Sequence, residues 1–278
     1  MSDRGDFSRQ SFLGTGSEDI LANARATIVG LSGGGSHVAQ ELAHVGVGHF
    51  RLIDPQEIDD SNLGRLVGAT AKDVTNKTPK VRIAERVIRG IRPWADVKFE
   101  QKEWQQVDYL IKDSHVIFGC IDGYQQRMWL ESAARRFGIP YIDIGMDVTR
   151  LADGQHAVAG QMTLTLPGRP CMRCLGFLTQ DRLDREENNY GDAGINPQVV
   201  WTNGTLASLA VGAFVRLLTP WFHYKREFEW LELEGNSQQV SHSRQPDYMP
   251  KGRCTHFPAE DLGDPFFDIR KLPITEKL

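Results

Sequence analysis

The sequence is short of cysteine: four in 278 residues, too few and too scattered for a disulfide scaffold. It has no long hydrophobic run. The longest apolar stretch, Leu206 to Leu218, is too short to span a bilayer and carries Arg216. The opening residues, MSDRGDFSRQSF, lack the apolar core of a signal peptide. These absences predict a soluble, cytoplasmic protein with no membrane partner. Positive charge is not in excess either. Lys plus Arg number 32 against 36 Asp plus Glu, a net charge of −4, which argues against a nucleic-acid partner. No repeat, low-complexity tract or flexible linker divides the chain. What is present is 40% hydrophobic and 24% charged residue, the composition of an ordinary globular chain. The length suits one large α/β domain with a substantial core.

The first half alternates strand and helix signals. Ala26 to Gly30 is an apolar run ending in glycine, followed by a helical pattern in which Val38, Leu42 and Val45 share one face. Gly46 and Gly48 stop that helix, and His49 to Asp54 reads as the next strand, completing a βαβ unit. A second helix starts near Pro79 and ends before Pro93, with Ile83, Ala84, Val87, Ile88 and Ile91 on its apolar stripe. Arg82, Arg86 and Arg89 lie opposite and read as a solvated face. His115–Cys120 and Pro140–Gly145 read as buried strands flanking a helix over Gln125–Phe137. An apolar helix after Asn203 and strands near Glu227–Leu233 and Gln238–His242 complete the pattern. The expectation is an α/β, Rossmann-like open, mostly parallel sheet with helices on both faces and a C-terminal β extension.

The loop Gly30 to Ser36 sits where a dinucleotide fingerprint belongs, and Asp54 ends the following strand. Ser32, however, occupies the slot of the second glycine, which weakens the case for a nicotinamide cofactor. A phosphate-friendly turn at a helix N-terminus remains, with Gly30, Gly33 and Gly35 as candidate nucleotide-binding positions. Asp54 is suited to accept hydrogen bonds from a ribose. Beyond it come Asn62, Arg65 and Lys80, with Arg9 near the N-terminus. That set suits a triphosphate whose pyrophosphate leaves, because negative charge builds on the leaving group. Asp122, after the His115–Cys120 strand, is a candidate Mg²⁺ ligand.

In this order and near this spacing, several segments resemble the ThiF/MoeB family, prokaryotic relatives of ubiquitin-activating enzymes. They are FSRQ (Phe7–Gln10), VGLSGGGS (Val29–Ser36), GVGHFRLID (Gly46–Asp54), SNLGR (Ser61–Arg65), TPK (Thr78–Lys80) and GCIDGYQQR (Gly119–Arg127). GQMTL (Gly160–Leu164), PCMRC (Pro170–Cys174) and the Ala193–Gly212 segment continue the match, which covers about residues 7 to 256. The resemblance implies a single adenylation domain over 1–278. Its nucleotide-binding part would be 1–170, with the cysteine knuckle, crossover loop, helix and last strands in 171–278. It implies that Asp54 holds the ATP ribose, that Asn62, Arg65 and Lys80 contact phosphates, and that Asp122 coordinates Mg²⁺. Arg9 would reach across a homodimer. The implied reaction is adenylation of the C-terminal glycine of a ubiquitin-like protein, serving conjugation or sulfur-carrier activation with a conjugating enzyme or sulfurtransferase downstream. Four positions depart from the pattern: Ser32 for Gly, Gln56 for the second Asp of D-x-D, Leu66 for Gln and Gly123 for Asn. The stretch Asp147–Ala157 is longer than usual.

Cys171 and Cys174 form a Cys-x-x-Cys knuckle, half of a zinc site. The family closes such a site with a second knuckle. Here Cys254 matches its first ligand and His256 is available as the fourth, giving Cys₃His. At the family's usual thioester position this chain has Tyr190, and no cysteine lies between Cys174 and Cys254. The reaction is therefore expected to stop at the adenylate or to use an oxygen nucleophile. Two other functions stay open on the residues: an inactive adenylase-like scaffold and, on the glycine loop alone, an NAD-dependent oxidoreductase.

Overall fold

A computed structural model describes residues 8–188, 197–222, 226–249, 254–264 and 266–273. A 3₁₀ turn at Ser8–Leu13 precedes α1 (Ser17–Asn23), β1 (Arg25–Val29), α2 (Gly33–Val45) and β2 (His49–Ile53). Then follow α3 (Ala71–Thr75), α4 (Lys80–Ile91), β3 (Asp96–Glu100), α5 (Asp108–Lys112), β4 (Val116–Gly119) and α6 (Tyr124–Arg136). The chain continues through β5 (Tyr141–Arg150), β6 (His156–Thr165), α7 (Gln180–Asn188), α8 (Val200–Leu218), β7 (Phe228–Glu234) and β8 (Gln239–His242).

The strands form one eight-stranded sheet in the order β3-β2-β1-β4-β5-β6-β7-β8. The pairings from β3 through β5 are parallel, and those from β5 to β8 are antiparallel. The strand order reverses between β1 and β4. In such sheets the crevice at the carboxyl ends of the reversing strands is where ligands bind.

β1 and β4 are apolar and buried because helices cover both of their faces. On one face α2, α4 and α8 pack with Leu42, Phe50, Leu52, Ile88 and Phe214. On the other, α5 and α6 pack with Ile111, Leu130, Tyr141, Met172 and Trp230. Each fully buried large aliphatic side chain there contributes roughly 1.5–3 kcal/mol of hydrophobic stabilisation.

Three features go beyond the sequence expectations. β3 carries no strand signal because it is a polar edge strand with one buried residue, Val97. α8 begins at Val200, before Asn203, so Asn203 lies within its first turn. Arg86 is not simply solvated. It donates to both carboxylate oxygens of Asp73 at 2.8 Å and to the Gly68 carbonyl at 2.8 Å. The long stretch after Asp147 is the far end of a β5–β6 hairpin whose pairing runs to Arg150–His156.

Candidate nucleotide cleft and metal cluster

The crevice at the strand reversal is lined by Ser32, Gly33 and Gly34 above β1, and by Cys120, Ile121 and Asp122 above β4. Ile144, Gly145 and Met146 of β5, Arg127 of α6, Gln198 and Asn203 complete it. Two helices begin here. α2 starts after Ser32 with no side-chain cap and no acidic residue in its first turn. Its first backbone N–H groups are therefore an anion site. The start of α6 is already filled, because the Glu186 carboxylate accepts from Tyr124 N at 3.0 Å and Gln125 N at 2.9 Å. Of the two helix starts, α2 is the one with no carboxylate on its first amides.

The glycines divide by role. Gly30 has φ +85°, and a Cβ there would lie 2.4 Å from the Cys120 carbonyl; one on Gly35 would lie 1.8 Å from the Gly30 carbonyl. Both are needed for the close strand–helix approach, and neither lines the cleft. Gly33 does line it, with Gly34, which the sequence reading passed over.

Asp54 is buried at the end of β2. One carboxylate oxygen accepts from Leu31 N at 2.7 Å and the other from Gln56 N at 2.8 Å. Gln56 in turn accepts from Lys80 Nζ at 2.7 Å, so the departure at position 56 replaces a charge with an amide that still aims Lys80. Lys80 is buried at the first position of α4. Asn62 is buried too, and its side chain closes a capping box with Asp59. Arg65 donates to the Ser61 carbonyl at 2.6 Å. Its segment docks on α2 where Val67 N donates to Ser36 Oγ at 3.0 Å. Leu66, the third departure, packs with Ile58 and Ile83. Gly123, the fourth, has φ +86° beside Glu186. Asp122 is exposed at the cleft and accepts from Gln198 Nε2 at 3.4 Å.

The side chain that sequence reasoning missed is Arg127. It is buried at the cleft floor and donates from Nη1 to Asp143 Oδ1 at 2.7 Å. Its position in the Gly119–Arg127 motif was visible, but its burial beside an aspartate of a later strand was not. Arg9 lies away from this cleft. It is exposed on the Ser8–Leu13 turn, and Phe12 of that turn stacks edge-on with Trp221 at 5.7 Å. A Cβ on Gly14 would lie 2.9 Å from the Pro220 ring. The turn is therefore seated at the far end of α8 from Asn203, about 23 Å along the helix axis.

The Cys-x-x-Cys knuckle meets Cys254 and His256. Cys171 Sγ lies 3.6 Å from Cys174 Sγ and 3.6 Å from Cys254 Sγ. His256 Nδ1 lies 3.5 Å, 3.3 Å and 4.0 Å from the sulfurs of Cys171, Cys174 and Cys254. Tetrahedral zinc with Zn–S bonds of about 2.3 Å spaces its sulfurs about 3.8 Å apart, so the donor set fits that ion. Burial pushes the Cys171 and Cys174 thiols up. At Cys254 the upward push of burial is outweighed by hydrogen bonds from the His256 and Phe257 backbone, and the thiol is pulled down. Burial also lowers His256, which keeps its imidazole neutral and able to ligate near pH 7. Glu131, fully buried, accepts from Met172 N and so holds the knuckle from behind. Cys120 ends β4, and burial raises its thiol far above the usual range, the opposite of a reactive cysteine. Tyr190 lies outside the described residues.

The sequence profile of the ThiF family matches residues 7–252. The chain belongs to the ThiF family. Among curated ThiF relatives, the sulfur carrier protein ThiS adenylyltransferase of Bacillus subtilis is 31% identical over 180 residues, covering 62% of this chain and 50% of that protein. The SAMP-activating enzyme E1 of Haloferax volcanii is 32% identical over 159 residues, 56% of this chain and 54% of its own length. The chain thus spans about half the length of these two relatives. The ThiS adenylyltransferase of Escherichia coli is 29% identical over 195 residues, 68% of this chain and 71% of that one. The fold is shared with the crystal structure of E. coli MccB with succinimide, at a TM-score of 0.69 and 19% identity, over 87% of this chain and 72% of that chain. No helix among the described residues is long and apolar enough to cross a membrane.

Proposed function

We propose that this chain is an ATP-dependent adenylyltransferase acting on the C-terminal glycine of a ubiquitin-like or sulfur-carrier protein. The observation that carries this reading is a cleft lined by an uncapped helix start, Asp122 and Arg127, with Asp54 tied to Leu31 N one residue from its wall. Ser32–Gly34 supply free N–H groups, Asp54 is locked by two backbone amides, Gln56 aims Lys80, and Arg127 forms the floor. In this reading Asp54 accepts from the ribose, Lys80, Arg65 and Asn62 serve the phosphates, and Asp122 would hold Mg²⁺, which neutralises phosphate charge.

The chemistry asks little of the protein beyond placement. The substrate carboxylate is ionised at neutral pH, so no general base is needed. Its oxygen attacks the α-phosphorus, the bond to the β-phosphate oxygen breaks, and pyrophosphate leaves with the electron pair. Positioning and charge neutralisation do the rest. The named relatives that adenylate or activate sulfur-carrier and SAMP proteins support the same class of substrate.

Three further parts belong to the reading. A homodimer is supported by Arg9, exposed at the opposite end of α8 from its own cleft and so available to another subunit's. Structural zinc on Cys171, Cys174, Cys254 and His256 is supported by donor spacing; it would tie the 171–178 region to the C-terminal segment. A product left as adenylate or oxyester, without a thioester, is supported by the raised thiol of the half-buried Cys120 and by three clustered cysteines. The test is ATP–pyrophosphate exchange with a ubiquitin-like protein ending in glycine. Exchange that requires that carboxylate is expected, and any adduct should resist thiol reductant. Exchange with no dependence on a protein carboxylate would sink the reading.

A further inference from the structure

Arg127 is an unusual way to floor a cleft. It is buried, yet it lines the same space as Ser32–Gly34 and Asp122. Among the described residues its hydrogen bonds are all made by Nη1, to Asp143 Oδ1 at 2.7 Å and to the Gln161 amide oxygen at 3.0 Å. The guanidinium lies flat on β5 where a Cβ on Gly145 would sit 2.1 Å from Nη2.

Asp143 is itself held. It has no solvent exposure, and its Oδ2 accepts from the Tyr141 hydroxyl at 2.9 Å. That hydroxyl occupies the space where a Cβ on Gly119 would lie 2.0 Å away. Gln161 closes the arrangement by donating to the Gly145 carbonyl at 3.1 Å. Strands β4, β5 and β6 are thus shaped around one cation. One arm is saturated from behind, and Nη2 and Nε are left for a ligand. A guanidinium presents a rigid planar fork, so fixing one nitrogen fixes the direction of the others. An ion pair that only tied α6 to β5 would not need its cation at the cleft floor.

We propose that Asp143, braced by Tyr141, is a positioning residue that aims Arg127 at an anionic phosphate bound in this cleft. The proposal rests on the reading of the cleft as an ATP site. Asp143 does not touch the ligand; it acts through the guanidinium, which in turn contacts phosphate oxygens.

The sign of one substitution separates aiming from mere charge. Asp143→Asn removes a negative charge near the phosphates. If Asp143 only subtracts charge from the site, the variant binds phosphate more tightly. If it aims Arg127, the variant binds more weakly, because the charge-assisted anchor is gone. The measurement is calorimetric affinity of the full chain for MgATP and, separately, for adenosine, which lacks phosphates. Asp143→Asn is expected to weaken MgATP about tenfold and leave adenosine within about twofold. Tyr141→Phe, which changes no charge and tests the brace if Asp143→Asn fails to fold, should weaken MgATP in the same direction by a smaller factor. In an Arg127→Ala background, Asp143→Asn should produce no further loss, the signature of action through one group. Unchanged or tighter MgATP binding by Asp143→Asn or Tyr141→Phe, or equal losses for adenosine, would overturn the proposal. Wild-type protein that binds adenosine but gains nothing from the phosphates would also overturn it. Wild-type protein that binds neither would remove the ATP reading beneath it.

Discussion

Lys80 shows how a single buried cation is aimed by one neighbour. It sits at the first position of α4, is nearly buried, and is directed by Gln56 across the loop that follows Asp54. Arg65 is held differently, by a carbonyl one turn back on an exposed segment. In the proposed reaction both act on charge that grows as pyrophosphate leaves. Arg65→Ala or Lys80→Ala is therefore expected to lower ATP–pyrophosphate exchange about a hundredfold, on the order of 3 kcal/mol. Arg65→Ala should melt like the wild type, because Arg65 contributes no core packing. Full exchange activity in either variant would remove that residue from the phosphate site. The residue scale also explains the family departures. Leu66 fills a small apolar cluster, and Gly123 adopts a left-handed conformation next to the Glu186 carboxylate.

Between β2 and α4 the chain is mostly loop, and it carries Asn62 and Arg65 and leads into Lys80. Its brace is α3, whose Thr70–Asp73 capping box is gripped from α4 by Arg86. The Arg86 guanidinium beside Asp73 holds that carboxyl well below the usual carboxylate range, against the opposing effect of burial. A depressed folded-state pKa contributes stability that is fully present above the unfolded value, near 3.9, and is lost as pH falls through the folded one. Asp73→Asn is expected to cost about 1–3 kcal/mol near pH 7. Its deficit relative to wild type should start to shrink below about pH 4 in urea unfolding series. A deficit that stayed constant down to pH 2 would show that the ion pair is not its source. The Cys171–Cys174–Cys254–His256 cluster is a second element-scale device, joining residues near Cys171 to a segment over 80 positions later. Metal analysis should find one zinc per chain, and chelation should lower the melting temperature. Folded, metal-free protein with unchanged melting would leave the four donors as a packing cluster.

For the whole molecule, the proposed role of Arg9 requires a second subunit. The 3₁₀ turn that bears it is seated against Pro220 and Trp221 at the far end of α8 from the cleft. A dimer solves that geometry if each subunit lends its turn to the other. Mixing Arg9→Ala protein with Asp122→Ala protein should then restore exchange, to about a quarter of wild-type sites after complete subunit exchange, because one site of each mixed dimer carries neither defect. No recovery after demonstrated exchange would count against a shared site.

Local sequence signals determined the class of the molecule. The apolar runs of β1, β2 and β4 are buried on both faces, and the glycine turn into α2 has no other economical use, so a parallel, doubly covered sheet was legible from residues alone. The order of SNLGR, Lys80 and Asp122 was equally legible as a motif, because it is local spacing. Other features depended on residues far apart in the chain. β3 is a polar edge strand that exists because β2 pairs with it, which periodicity cannot show, whereas β8 was legible as the strand expected at Gln238–His242. Arg86 is exposed, as expected, but its ion pair with Asp73 across a loop was not legible. Arg127 looked like one more helix arginine until β5 brought Asp143 and Tyr141 beneath it. Only the tertiary structure decided these, since burying a charge depends on which partner the fold places within hydrogen-bond reach.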